Sequence, residues 1–276
     1  MVVRTTPQEV EFVSDLLWSL GVVAIEEHWD GDGVVRLQTS LGDDPAVVER
    51  AMNALPGNLS WSTKNVDDEV INTWREFARP TVVGRRIVIA PIWCEEHEIA
   101  TAMRELSDPA DAVVVAIEPA STFGMGDHPT TMCSLLMLEK YLRPGDLVID
   151  VGCGSGVLGI AALKLGAARA IGMDINPSCV AVSLENARSN GVEDRWSVTT
   201  EPLAVIGLAG EIVVANILAP ALIELSGELK RLKKPGGKLI ISGVLSDHYE
   251  HVARALEPLI EIDRTEIGGW VAAVFS

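Results

Sequence analysis

Apolar and polar residues follow one pattern near the start of the chain and another in its second half. In residues 1–65, short strand-like runs alternate with two segments whose apolar residues recur at helical spacing. The predicted elements are a strand, a helix, two strands, a helix and a strand, over Val2–Arg4, Pro7–Leu20, Val22–Glu27, Val34–Thr39, Pro45–Leu55 and Leu59–Lys64. This βαββαβ order predicts a small ferredoxin-like α+β domain over residues 1–66.

The rest of the chain predicts a linker and a larger α/β domain. Residues 67–104 fit no regular alternation, although Arg86–Ala90 resembles a strand, and we expect them to be the linker. Over residues 105–276 strands alternate with helices, which predicts a doubly wound, mostly parallel sheet. Its core strands are predicted at Leu147–Val151, Ala170–Asp174, Trp196–Thr199, Glu211–Ala215 and Lys238–Ser242. Two closing strands around Gly268 and Gly269 predict an antiparallel hairpin, which is typical of methyltransferases and unusual for dehydrogenases.

Charge and composition restrict the kinds of partner that we expect this chain to bind. The chain has 22 basic and 39 acidic residues, a net charge of −17, which disfavours direct binding to DNA or to another phosphate backbone. Such a surface attracts a basic partner, although it could serve solubility alone. The longest apolar region contains Lys164 and Arg169, so no membrane span is predicted. The four cysteines show no metal-type spacing and no disulfide framework, which predicts no metal site and a cytoplasmic location.

A glycine-rich turn carries the strongest chemical signal. Gly152 and Gly154 lie in the run Asp150–Gly156, between a predicted strand and a predicted helix, where a nucleotide-like ligand can approach the backbone closely. A dinucleotide site would have a glycine in place of Val157. Asp174 closes the next strand about twenty residues later, where a carboxylate can accept hydrogen bonds from both ribose hydroxyls. Together these features favour S-adenosylmethionine, whereas a plain tight turn is the structural alternative.

Two further segments supply candidate site residues. Asn216 follows the strand Glu211–Ala215 and could aim its amide oxygen at a substrate amine, or could merely cap the next helix. The loop over residues 121–131 groups Phe123, His128 and Thr131 among glycines, a composition that mobile lids over cofactors share. A histidine in such a loop more often has a structural than a catalytic role.

With these elements in place, the sequence resembles the bacterial methyltransferase family that modifies ribosomal protein eleven of the large subunit. The similarity covers almost the whole chain and is densest from Phe123 to Gly243. It includes the runs 128–131, 148–156, 161–167 and 213–219, together with Asn186-Ala187 and Asn190-Gly191. The resemblance implies a Rossmann-like seven-stranded methyltransferase domain behind a ferredoxin-like recognition domain. Met125 and Asp127 depart from it, because the family usually has threonine at both positions.

The resemblance also implies a reaction and a set of residues. The cofactor S-adenosylmethionine would contact Thr131, Gly152, Asp174 and Asn216, and methyl groups would pass to lysine side-chain or N-terminal amines of the ribosomal protein. Our own hypothesis is that Asn216 holds the amine through its side-chain oxygen, while water or His128 accepts the proton. Three alternatives stay open: a lysine methyltransferase for another protein, a dinucleotide-dependent oxidoreductase, and a cofactor-binding module without activity.

Overall fold

The chain forms two compact units, Met1–Phe77 and Ala78–Ser276, each with a hydrophobic core of its own. The structure, a computed structural model, describes residues 1–7, 9–19, 22, 25–30, 33–41, 45–55, 59–63, 78–118 and 126–276. No helix in these described ranges is long and apolar enough to cross a membrane.

The first unit is a four-stranded antiparallel sheet packed against helices. Its elements are β1 (Val2–Thr5), α1 (Val10–Ser19), β2 (Ile25–Asp30), β3 (Val34–Thr39), α2 (Pro45–Ala54) and β4 (Ser60–Ser62), and the strands lie in the order β2-β3-β1-β4. Val35 and Leu37 of β3 are buried with Val13 and Leu17 of α1. Strand β2 extends to Asp30, further than predicted, because that residue pairs with Val34 across the hairpin.

The second unit begins with a small sheet in a segment that the sequence analysis assigns to a linker. It contains β5 (Thr81–Val83), β6 (Ile87–Pro91), α3 (Glu96–Glu105) and β7 (Val113–Ile117), with β6 between an antiparallel β5 and a parallel β7. All five residues of β6 are buried. A strand covered on both faces has no polar alternation, which is why the pattern here did not predict an ordered unit. Residues 78–104 therefore belong with the larger unit, and residues 67–77 lie outside the described ranges.

A seven-stranded mixed sheet forms the centre of the second unit. Its strands are β8 (Leu147–Val151), β9 (Arg169–Met173), β10 (Trp196–Thr199), β11 (Gly210–Asn216), β12 (Lys233–Leu245), β13 (Glu261–Ile267) and β14 (Trp270–Phe275). They lie in the order β10-β9-β8-β11-β12-β14-β13, and within this sheet β14 runs antiparallel to the other six strands. The predicted α/β architecture and closing hairpin are confirmed.

Helices cover both faces of this sheet, as two separate buried clusters show. They are α4 (Pro129–Tyr141), α5 (Val157–Lys164), α6 (Pro177–Ser189), α7 (Ala219–Glu224), α8 (Ser226–Leu232) and α9 (Tyr249–Ala255). Between β11 and β12 the chain forms two short helices, α7 and α8, which meet at Leu225. The parallel strands β8, β9 and β11 are neighbours, so their carboxyl ends lie at one edge of the sheet.

Candidate active site

The glycine-rich turn between β8 and α5 is tied to the end of β9. The backbone N–H groups of Gly152 and Cys153 donate to the Met173 carbonyl, at 2.7 and 3.1 Å. Gly152 and Gly154 have φ angles of +73° and +52°, which side chains with a Cβ rarely adopt. A Cβ on Gly152 would also overlap the Cγ2 of Ile217, the residue after Asn216. The need for glycine at residue 152 thus comes from the packing of the protein as well as from any ligand.

Asp174 lies directly beside this turn. Its Oδ2 accepts a hydrogen bond from the Gly154 backbone N–H at 2.9 Å, and its Oδ1 accepts one from the Asn176 backbone N–H at 2.9 Å. An ionised carboxylate has about four acceptor positions, so both oxygens keep capacity for a ligand. The next residue, Ile175, is 96% exposed, and the sequence analysis did not single it out. The sequence feature that could have identified Ile175 is its position directly after the carboxylate that ends a predicted strand.

Asp150, at the end of β8, is a second carboxylate that the sequence analysis did not treat as a site residue. It is fully buried; its Oδ2 accepts a hydrogen bond from the Gly159 N–H at 2.9 Å, while its Oδ1 has no hydrogen-bond partner among the described residues. Burial raises the pKa of this carboxyl to about 7, and the nearby Asp174 adds to the rise. A buried acceptor without a partner is costly, so this place suits a positively charged ligand. S-adenosylmethionine carries both an ammonium group and a sulfonium, and it fits that requirement.

Asn216 ends β11 at the same edge of the sheet. Its Nδ2 lies 3.5 Å from the Oγ1 of Thr131, a fully buried residue of α4, so the two predicted residues are brought together. Because Nδ2 makes this contact, Oδ1 is the atom of the Asn216 amide that can accept a hydrogen bond from a ligand. The helix that follows begins at Ala219 with Leu218 as its N-cap residue. The alternative in which Asn216 caps that helix is therefore wrong.

His128 is the N-cap residue of α4. Its Nδ1 accepts a hydrogen bond from the Thr130 N–H at 3.3 Å and lies 2.8 Å from the Thr130 Oγ1. The imidazole also makes an edge contact with the Trp270 ring, with centroids 5.3 Å apart. Burial lowers the pKa of His128, and the smaller effect of Asp127 raises it. With Nδ1 accepting from the backbone, the neutral ring carries its proton on Nε2, which is an arrangement for capping rather than for accepting a proton.

The start of α4 is fixed by strands from the end of the chain. The Thr130 carbonyl accepts a hydrogen bond from the Ser242 Oγ of β12 at 3.0 Å. Ser242 is fully buried, and its Oγ also lies 3.3 Å from the Val271 carbonyl of β14. These contacts, together with Trp270, hold the helix end that carries Thr131.

Asn186 connects the glycine-rich turn to Glu118, the residue after β7. Its Nδ2 donates to the carbonyls of Ser155 and Glu118, both at 2.9 Å, and its Oδ1 accepts from the Glu118 N–H at 2.9 Å. Asn186 is almost completely buried. Its signal in the sequence is an asparagine in the interior of a helix, where that residue is unfavourable without a specific hydrogen-bonding role. Phe123 and Met125 themselves lie outside the described residues.

Fold and site together define a class of protein. The sheet order with β14 inserted antiparallel, the glycine-rich turn after the first strand of the parallel set and the carboxylate after the second are the features of an S-adenosylmethionine-dependent methyltransferase. Gly152, Asp174 and Asn216 follow three adjacent parallel strands or end them, which places them in one crevice.

Comparison with known proteins gives the family. The family model for ribosomal protein L11 methyltransferase (PrmA) matches residues 44–276. A ribosomal protein L11 methyltransferase from Vibrio cholerae is 40% identical over 238 residues, which cover 85% of this chain and 77% of that protein. A ribosomal protein L11 methyltransferase from Pelotomaculum thermopropionicum is 36% identical, and the match covers 98% of this chain and 96% of that protein. The chain belongs to the ribosomal protein L11 methyltransferase family.

A solved structure agrees with this assignment. The crystal structure of a ribosomal protein L11 methylase from Lactobacillus delbrueckii subsp. bulgaricus superimposes with a TM-score of 0.62 at 27% identity, covering 72% of this chain and 97% of that one. The protein is thus a methyltransferase, its methyl donor is S-adenosylmethionine, and the oxidoreductase alternative is not favoured.

Proposed function

We propose that this enzyme transfers methyl groups from S-adenosylmethionine to lysine side-chain or N-terminal amines of large-subunit ribosomal protein L11. The observation that carries the chemistry is the convergence of the glycine-rich turn, Asp174 and Asn216 at one edge of the sheet. The names of the relatives carry the choice of substrate. A ribosomal substrate also agrees with the cytoplasmic location that the cysteines predict.

The residues proposed to hold the methyl donor surround this crevice. Asp174 would accept the ribose hydroxyls, with the exposed Ile175 offering an apolar surface to the adenine. Gly152 and Gly154 would allow close approach of the donor, and the free Oδ1 acceptor of Asp150 would face a positive charge. Thr131 would contact the donor through the hydroxyl that it shares with Asn216, and Phe123 is proposed as a further contact from its place in the sequence.

The residues of the chain chiefly orient the attacking amine and exclude water. S-adenosylmethionine supplies an electrophilic methyl group when it is bound. A lysine amine has an ordinary pKa of about 10.4, so it must lose a proton before it attacks. Burial of the amine beside a positive charge lowers its pKa. Asn216 would then hold the neutral amine through Oδ1, and water rather than His128 would accept the proton, because Nδ1 of His128 caps α4.

Residues 1–66 are proposed to be a ferredoxin-like domain that recognises the protein substrate. Support comes from the βαββαβ element order and from the antiparallel strand order β2-β3-β1-β4. These residues include four basic and ten acidic side chains, a net charge of −6, which favours a basic substrate. We place the boundary of the catalytic domain at Ala78 rather than after residue 104.

The test is methyl transfer to the proposed substrate. The enzyme is incubated with labelled S-adenosylmethionine and unmethylated ribosomal protein L11, and intact mass is measured. We expect mass increases in steps of one methyl group, which should accumulate at least tenfold more slowly with Asn216→Ala. No incorporation into L11 by a folded enzyme that binds the donor would refute the proposed substrate, and incorporation into another protein would support the alternative lysine methyltransferase.

A further inference from the structure

Strand β2 forms an edge of the sheet in the first unit. Among the described strands it pairs only with β3, so one side of its backbone has no partner strand. An edge strand presents a row of backbone N–H and C=O groups to which another extended segment can bind. The strand is six residues long, Ile25–Asp30, which is enough to pair with a short peptide segment.

The side chains beside this edge are unusual for the face on which they lie. Glu27 and Trp29 pair with Leu37 and Val35, which are fully buried in the core of the unit. Because cross-strand partners share a face, Glu27 and Trp29 also point to the face that the helices cover. Glu27 is nevertheless exposed and Trp29 is 65% exposed. Among the described residues of β2 the core reaches Ile25, whereas Glu27 and Trp29 lie beyond it, next to the side of the strand that no described strand pairs with.

The charges at this edge favour a basic partner. Glu26, on the opposite face, has a 65% exposed side chain and lies 3.3 Å from the His28 Nε2. Arg4 and Arg36 lie opposite each other on the neighbouring strands β1 and β3. They are on the same face of the sheet as His28 and on the opposite face from Glu27. The face that carries Glu27 and Trp29 therefore has a carboxylate and no arginine among the described strands.

We propose that β2 is the docking edge for the protein substrate, on which an extended basic segment of that substrate adds as a fifth strand. A lysine or arginine of the segment pairs with Glu27 and packs over the face of the Trp29 ring. This inference rests on the proposed function and specifies how its substrate is recognised.

Each part of the edge has a different effect on binding. Backbone pairing gives affinity with little dependence on sequence, and side chains on alternate positions provide the selectivity. The indole offers a large rigid surface and attracts a cation through its π face. Natural edges are often protected by charged residues, and protection against self-association is the alternative role of Glu27. An exposed tryptophan does not protect an edge, and this favours docking.

The test uses the full-length enzyme, ribosomal protein L11 as the probe, and two substitutions, Trp29→Ala and Glu27→Lys. The matched controls are Ile260→Ala, which truncates a 71% exposed residue of the catalytic unit, and Glu193→Lys, which makes the same charge change at an exposed position there. We expect each edge substitution to raise KM for L11 by roughly tenfold, the scale of an interface hot spot. The affinity for S-adenosylmethionine, the melting temperature and both controls should stay near wild type.

Hydrogen exchange tests the backbone part separately. Binding of L11 to the wild-type enzyme should slow exchange of the amides in residues 25–30. Unchanged KM in Trp29→Ala and Glu27→Lys, with active wild-type enzyme, would overturn this inference alone and leave Glu27 as a protecting residue. A raised KM without slower exchange at β2 would overturn strand addition. Wild-type enzyme that does not methylate L11 would overturn the proposed function and this docking mode with it.

Discussion

Replacement of Asp174 should separate binding of the methyl donor from the integrity of the fold. Asp174→Ala removes the carboxylate that would accept both ribose hydroxyls. Hydrogen bonds to a charged group contribute about 1.5–3 kcal/mol each. Because Asp174 is partly exposed, we expect about 1.5–3 kcal/mol for the pair, which is a loss of roughly 10- to 100-fold in affinity.

The same substitution also removes contacts within the protein. The N–H groups of Gly154 and Asn176 lose a charged acceptor, and because Asp174 is partly exposed we take about 1.5 kcal/mol, the lower limit, for each. A fall in melting temperature is therefore expected, at roughly 2–4 °C per kcal/mol for a chain of this size. Asp174→Asn keeps the shape and one acceptor oxygen but sets its NH2 group against the second backbone N–H, so it should melt below wild type and bind the donor weakly.

Asp146→Ala is the matched control. Asp146 is partly buried and accepts a hydrogen bond from the Arg143 backbone N–H at 2.9 Å, in a turn before β8. Its loss should lower the melting temperature slightly without changing donor affinity. Calorimetric titration with S-adenosylmethionine measures the affinity, and differential scanning fluorimetry measures the melting temperature. Equal affinity in wild type and both Asp174 variants would refute the proposed ribose contact.

Three further outcomes are expected. Asn216→Ala should lower kcat at least tenfold with an unchanged melting temperature, and a low melting temperature together with normal kcat would contradict its proposed role. In the enzyme without ligand, the raised pKa of Asp150 means that the folded state holds its proton more tightly than the unfolded state does. The free energy of unfolding should then fall as pH rises from about 4 to about 7. Asp150→Asn should flatten this pH dependence and weaken donor binding. Identical urea-unfolding profiles of wild type and Asp150→Asn across this pH range would refute the raised pKa of Asp150. A chain that begins at Ala78 should bind S-adenosylmethionine normally and methylate L11 poorly, whereas equal activity of the short and complete chains would exclude recognition by residues 1–66.

The sequence predicted the parts of the fold that have a clear local pattern. Val34–Thr39, Leu147–Val151 and Trp196–Thr199 have the predicted bounds, because each of these strands lies between turn residues. Strand β6 could not be assigned to the larger unit in advance, since burial on both faces removes the polar alternation that marks an ordered element. Its position depends on β7 and α4, which are distant in the sequence.

The candidate site was predictable where residues follow strand ends and not where they depend on contacts across the fold. Gly152, Asp174 and Asn216 could be found because the carboxyl ends of parallel strands meet at one edge. The missing partner of Asp150 is a property of its buried surroundings, so the residue type alone does not reveal it. The bridge that Asn186 makes to Glu118 and Ser155 also requires knowledge of which segments are neighbours.

The anchoring of α4 has a consequence for when the enzyme becomes active during synthesis. The chain is made from its N-terminus, so the glycine-rich turn and Asn216 exist before β14 does. The helix end that carries Thr131 depends on Ser242 and on contacts with Trp270 and Val271. If Thr131 contacts the donor as proposed, a nascent chain that contains the glycine-rich motif but not β14 would lack a complete donor site, and methyl transfer would begin only after β14 has folded into the sheet.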